Sequence, residues 1–192
     1  MIELGPATED EMVLAFLRAE VDSPRFREMV SSWLDGEPFL REDLIRRADL
    51  SDPAQNAARR RVLRSFRGYG ADSMLFPGFP LDVTWRRVQL EQGDAGSLLY
   101  ARWPEWVQLS LGSRRVTDGA KNGASNPNVV AVANRLRLGE TFEPLIAVEG
   151  LDGTLILVEG HVRATAFVLH AGLDGVIVIL GSSPSLSRWG LY

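Results

Sequence analysis

The sequence predicts an α+β fold: a small mixed sheet with flanking helices, preceded by an N-terminal helical region. Three observations carry the prediction. Apolar residues recur at helical spacing over much of the first 70 residues, whereas later in the chain three apolar runs of strand length lie at 144–148, 155–158 and 176–180. Two of those runs flank Asp152-Gly153, a strong hairpin signal. The second of them runs straight into Glu159-Gly160 and a helical pattern, so a strand and a helix meet at one junction.

Each element has its own signal. Thr8-Glu9-Asp10-Glu11 is a capping-box pattern ahead of Met12, Val13, Phe16, Leu17 and Val21, which predicts a first helix. Ser23-Pro24 marks a second start, with Phe26, Met29, Val30, Trp33 and Leu34 expected on one face and Gly36 as the stop. A short segment around Leu44, Ile45 and Ala48 follows. Asp52-Pro53 then opens a helix to about Arg67, closed by Gly68-Tyr69-Gly70. Helices this short are unstable alone and must pack on one another or on the rest of the chain. Gly68 to Pro80 reads as a connector, which divides the chain into an N-terminal helical region, 1–70, and a second domain, 71–192.

Val83 to Leu90 reads as a strand. Tyr100 to Leu111, with Trp103 and Trp106, is open between a helical turn and an extended piece. Gly119 to Asn128 reads as a loop, and Val129 to Leu138 as a helix stopped by Gly139. Pro144–Val148 and Leu155–Val158 are short apolar strands, and His161–Ala171 is a helix stopped by Gly172. Val176–Leu180 is apolar throughout, as a strand buried on both faces must be.

The composition, 45% hydrophobic and 24% charged, is that of an ordinary globular protein. A net charge of -4 supplies no global basic field towards nucleic acid or acidic membranes. The chain has no cysteine, which removes disulfides, thiolate zinc sites and cysteine nucleophiles together and fits a reducing compartment. Met1 to Leu17 mixes four acids into its apolar residues, unlike a signal peptide, and no apolar run approaches the ~20 residues of a membrane span. A cytoplasmic location is expected.

The chemically loaded spot is Glu159-Gly160-His161-Val162-Arg163-Ala164-Thr165-Ala166. A helix that starts directly after a strand points unpaired N–H groups and the positive end of its dipole at whatever sits there. Gly160 allows a sharp turn and a close approach. His161, Arg163 and Thr165 add side-chain donors, and the planar fork of an arginine suits phosphate. Together they predict an anion site at a helix start. The plain alternative makes Glu159 a favourable acid at a helix start and Arg163 a surface charge paired with it.

The order of elements from Val83 to Leu180, with Gly160, Arg163 and Ala166 on the glycine, arginine and alanine of its second motif, resembles the ParB/sulfiredoxin-like superfamily. Glu159-Gly160-His161-Val162-Arg163 is most similar to the acid-Gly-His-x-Arg variant of the free serine kinases. The resemblance covers roughly the last half of the chain. It implies a ParB/sulfiredoxin-like fold over 71–192 and a turn that binds nucleotide or protein phosphates. Two departures narrow it. Sulfiredoxins carry a catalytic cysteine beside the motif glycine, where this chain has His161, so sulfinic-acid reduction is not expected. Chromosome-segregation ParB proteins carry Glu-Arg-Arg after the glycine and a helix-turn-helix domain beyond. Here His161-Val162-Arg163 lacks the second arginine and twelve residues follow Leu180, so a partition role is not expected.

The resemblance therefore implies a protein that binds a nucleotide or a phosphorylated small molecule at Gly160, His161, Arg163 and Thr165. If it is an enzyme, phosphoryl transfer is the reaction expected, with ATP or ADP as the nucleotide and magnesium as the ion. Glu159 and His161 are the candidate catalytic residues, and no residue is assigned as a metal ligand. Arg114 and Arg115, in Gly112-Ser113-Arg114-Arg115, could supply a second cationic clamp, although an arginine pair in a loop is more often a solvated feature. Gly181-Ser182-Ser183 follows a strand end, where ligands tend to meet a sheet. Glu91 and Asp94 follow the first strand of the second domain, and neither is nominated as a base. His170 reads as a capping or surface residue. Arg59, Arg60, Arg61, Arg64 and Arg67 crowd one helix, with 60, 64 and 67 on a face that would suit nucleic-acid phosphates, though a solvated face is the usual explanation. The alternatives to a phosphotransferase are a non-catalytic regulatory module of the same fold and a ParB-like nuclease or DNA-binding protein. No membrane partner is expected, and a homodimer is compatible with the sequence.

Overall fold

The structure, a computed structural model, describes all 192 residues. Its centre is a six-stranded mixed sheet of β1 (Ile2–Ala7), β2 (Thr84–Gln89), β3 (Leu98–Tyr100), β4 (Leu145–Glu149), β5 (Leu155–Glu159) and β6 (Ile177–Ser182), in the order β1-β2-β6-β4-β5-β3. β4 and β5 form the hairpin expected at Asp152-Gly153, and β6 lies parallel to β4 on its other side. β3 pairs parallel to β5, so Tyr100 and Glu159 end their strands at the same edge of the sheet. Eight α-helices flank the sheet, which makes the fold α+β.

Period-two alternation along the central strands divides the core into two layers. Ile146, Val148, Ile156, Val158 and Ile179 face one side. There they meet Met12, Val13, Phe16 and Leu17 of α1 (Glu9–Val21), Val30 and Leu34 of α2 (Arg27–Asp35), Leu44 of α3 (Arg41–Ile45) and Val62, Leu63 and Phe66 of α4 (Pro53–Arg67). Leu145, Ala147, Leu155, Leu157, Val178 and Leu180 face the other side and pack on Val116, Ala164 and Phe167. These belong to α6 (Val116–Gly123) and α8 (His161–His170), which α5 (Pro104–Leu109) and α7 (Pro127–Arg137) accompany. Each large apolar side chain so buried contributes roughly 1.5–3 kcal/mol, and β4, β5 and β6 bury theirs on both faces. No helix is long and apolar enough to cross a membrane.

Local signals and observed elements agree where local chemistry decides. The Thr8–Glu11 capping box forms in both directions, and Asp52 caps α4 through the N–H groups of Ala54 and Gln55. Three local readings need correction, and the one left open at residues 100–111 is resolved. Ile2–Ala7 is an edge strand within the region read as helical, with its register broken between Glu3 and Gly5. α2 begins at Arg27, after a turn at Pro24–Phe26, and buries only Val30 and Leu34; Met29 and Trp33 stay exposed. Residues 100–111 hold the end of a strand and a short helix in succession. Residues 116–123, mostly within the segment read as a loop, form α6. Gly119 faces a neighbour that leaves no room for a side chain, since a Cβ there would stand 2.4 Å from the Tyr100 ring, and at Gly123 a Cβ would press on Leu109 at 3.3 Å.

Candidate functional site

The turn between β5 and α8 lies at the sheet edge where β3 and β5 end and β4 begins. Gly160 caps α8 in the left-handed region, φ 97°, and a Cβ there would lie 2.5 Å from Leu145 Cδ2. The glycine is thus required by the turn and by Leu145 packed beneath it. The N–H groups of His161, Val162 and Arg163 come before the first helical bond, Ala164 N–H to the Gly160 carbonyl at 2.8 Å, and no side chain caps them. The positive end of α8 is therefore presented at the sheet edge.

The side chains of the turn are held from within. Arg163 is buried and donates to the Glu143 carbonyl, to the Pro144 carbonyl at 3.2 Å and to the Glu159 carboxylate. It pairs with Glu159 as the plain reading expected, yet as a buried strut that ties the start of β4 to the end of β5. Thr165 is fully buried; its hydroxyl donates to the His161 carbonyl at 2.7 Å and meets the Tyr100 hydroxyl at 2.7 Å. Burial pushes the Tyr100 phenol up to about 12.

His161 stacks on Trp106 of α5, ring centroids 5.3 Å apart, and on Tyr100 at 5.9 Å. The residue keeps partial exposure, but its Nε2 is closed off and has no hydrogen-bond partner. Burial, helped by the charge of Arg163, pushes the imidazole down to about 3, so it is neutral at pH 7. A neutral ring can donate or accept one hydrogen bond at Nε2 and cannot lend a positive charge to a phosphate.

Of the other arginines singled out in the sequence, all but Arg115 have side-chain partners. Arg114 donates to the Tyr100 carbonyl at 2.9 Å and to the Tyr192 carbonyl at 3.2 Å, which joins the end of β3 to the C-terminal residues. Arg115 is exposed and stands at the N-cap position of α6 with no side-chain cap bond. On α4, Arg59 is fully buried against the Leu44 and Asp49 carbonyls, Arg60 pairs with Asp10, Arg61 with Glu37 and Arg67 with Glu20, while Arg64 donates to the Gly70 carbonyl at 2.6 Å. The face that would suit nucleic-acid phosphates is already committed to the fold. Ser183 donates to Asp82 at 2.9 Å, and Glu91 and Asp94 both pair with the N-terminal ammonium. His170 lies exposed beside Arg137.

Two residues that sequence reasoning left out of the site belong to its surroundings. Glu20, at the end of α1, is buried, bonded to Arg67, and close enough to Glu159 and Arg163 to feel both charges. Its signal was present: position 20 follows Val13, Phe16 and Leu17 on the apolar stripe, where a carboxylate needs a reason. Trp106 had no such signal. No group of three or more histidine, aspartate or glutamate side chains converges where a metal could sit, and Glu159 is held by Arg163.

No protein-family model, curated protein or solved structure matches this chain.

Proposed function

We propose that this chain is a cytoplasmic ParB/sulfiredoxin-like protein that binds a nucleotide or phosphorylated small molecule at the start of α8. The observation that carries the reading is the uncapped first turn of α8, whose N–H groups follow the left-handed Gly160 at a strand end. The superfamily part of the reading rests on the sequence resemblance at Gly160, Arg163 and Ala166; the elements from β2 onward run β2, β3, three helices, the β4–β5 hairpin, α8 and β6. Recognition by this turn falls to backbone N–H groups and the α8 dipole, with Arg163 held beneath them as a fixed charge. This differs from a clamp of mobile arginines.

Phosphoryl transfer remains the reaction favoured if the protein turns over. The non-catalytic reading gains from Glu159, whose carboxylate is occupied by Arg163. Isothermal titration with ATP, ADP and CTP tests binding, and nucleotide consumption in the presence of hydroxyl acceptors separates enzyme from module. Binding weakened by Gly160→Ala, which forces the turn against Leu145 and shifts the first N–H groups of α8, supports the site. Absence of binding to all three nucleotides overturns the proposal. A gel shift that Arg60/Arg64/Arg67 alanine substitution abolishes would favour the nucleic-acid reading instead.

A further inference from the structure

The start of α1, the middle of α4 and the segment after α4 enclose an open cavity of about 310 Å³, and no residue of the α8 turn lines it. Ligand sites run from roughly 300 to 1,000 Å³, so it suits a small molecule. Arg60, Arg61 and Arg64 of α4 line the cavity, and the fold uses only some of their donors. Arg61 gives its Nε and Nη2 to Glu37. Arg60 gives Nη1 to Asp10, and Arg64 gives Nη1 to the Gly70 carbonyl at 2.6 Å. Nε and Nη2 of both Arg60 and Arg64 have no protein partner and are open to solvent. The two residues lie one helical turn apart on one face of α4. Arg67, next on that face, is taken by Glu20, which breaks the row that an extended polyanion would need. A single small anion needs only the donors that remain.

Glu9 is the one carboxylate that lines the same cavity. The hydroxyl of Tyr69, a buried residue of the wall, donates to its Oε1 at 2.7 Å and fixes its place, while Oε2 has no partner. No arginine of the cavity pairs with Glu9, so opposite charges face one space without closing on each other. Ala57 and the exposed Leu81 add apolar surface. We propose that this cavity binds a small amphoteric acid. Its carboxylate lies between Arg60 and Arg64, whose planar forks match it, and a neighbouring ammonium or hydroxyl donates to Glu9. A short apolar side chain rests on Ala57 and Leu81. That is the chemistry of an α-amino acid or an α-hydroxy acid. An acid without the donor meets the Glu9 charge uncompensated, and an amine without the acid leaves the arginines unmatched, so either half alone binds more weakly. The site stands independently of the phosphate reading of the α8 turn.

Titration of the full chain with L-leucine and with its α-hydroxy analogue, followed through the backbone amide and arginine Nε–H signals, tests the proposal. The expected result is saturable shifts at Arg60, Arg64 and Leu81 with one acid or both, and the tighter of the two identifies the donor that Glu9 accepts. Isocaproate, which lacks the donor, and isoamylamine, which lacks the acid, should each bind roughly tenfold more weakly or worse. Arg64→Gln gives up one bond to the carbonyl of an exposed glycine, so the fold survives it, and should weaken binding by roughly tenfold or more. Ala57→Leu, which fills part of the cavity and leaves every ion pair in place, should weaken it as well. No saturable shift at these residues with either acid overturns the proposal, as does binding that Arg64→Gln and Ala57→Leu leave unchanged. Isocaproate bound as tightly as leucine and the hydroxy acid would remove Glu9 from the site and overturn the amphoteric ligand.

Discussion

The Arg163 guanidinium reaches back across the β5–α8 turn to the carboxylate of Glu159, four residues earlier, and also holds the carbonyls that lead into β4. An arginine that a motif offers as a ligand fork is here first a strut. Its loss leaves the largely buried Glu159 carboxylate with no counter-charge, the costly half of a broken buried pair. Arg163→Met is expected to lower unfolding free energy by about 3–5 kcal/mol. Met at both 159 and 163 is expected to recover part of that loss. Urea unfolding of the three proteins checks it, and a double variant no more stable than Arg163→Met would contradict the pairing.

Glu20 and His161 predict opposite pH dependences. Glu20 is raised from 4.5 to about 7, so the folded protein keeps a proton that the unfolded chain releases, and stability falls as pH rises through about 7. His161 is lowered from 6.5 to about 3, so the unfolded chain takes up a proton that the folded protein refuses, and stability falls as pH drops from 6.5 towards 3. The two oppose each other between pH 4.5 and 6.5. Glu20→Gln should therefore gain stability up to pH 6.5 and stay level to pH 8, whereas His161→Phe should lose stability from pH 5 to about 7 and level off by pH 8. Urea midpoints at pH 5, 6, 7 and 8 decide, and variants whose profiles run parallel to the parent would contradict both assignments.

Gly160 and Gly153 separate backbone strain from crowding. Both have φ in the left-handed region, 97° and 79°, but only Gly160 has an atom where its Cβ would be. Gly153→Ala is expected to cost about 1–2 kcal/mol, the left-handed penalty alone. Gly160→Ala adds the collision with Leu145, about 1–3 kcal/mol more. Equal losses in thermal unfolding would mean that Leu145 yields and the close packing beneath the turn is not required.

The buried hydroxyls of Tyr100 and Thr165 predict a graded pair of losses. Tyr100→Phe removes one hydrogen bond while Thr165 keeps its bond to the His161 carbonyl, for a loss of about 1 kcal/mol. Thr165→Val should cost more, because the Tyr100 hydroxyl then stays buried without a partner. A Tyr100→Phe loss as large as that of Thr165→Val in denaturant unfolding would contradict this order.

What the sequence reveals of this molecule follows the range of the forces involved. The β4–β5–α8–β6 segment is legible because its signals are local: Asp152-Gly153 turns the hairpin, Gly160 turns the chain, and apolar runs demand two covered faces. The strand at Ile2–Ala7 is not, since it is an exposed edge containing Gly5 and Pro6 and is specified by pairing with Arg86 and Arg87 on β2. α6 is hidden for the converse reason: Gly119 and Gly123 argue locally against a helix, yet Tyr100, Leu109 and Thr165 pack where their side chains would be. At the site, spacing brings Glu159, Gly160 and Arg163 together, while the meeting with Glu20 and Arg67 depends on contacts across 92 residues or more.

The claim that the start of α8 receives a phosphate is tested most directly at its own N–H groups. Amide nitrogen–proton spectra of the full chain, titrated with ATP and with inorganic phosphate, report on each backbone N–H separately. The account predicts saturable shifts at His161, Val162 and Arg163 that exceed those elsewhere and are accompanied by the His161 ring. Unmoved amides at all three positions through saturating ATP, or shifts centred on another part of the fold, would contradict it.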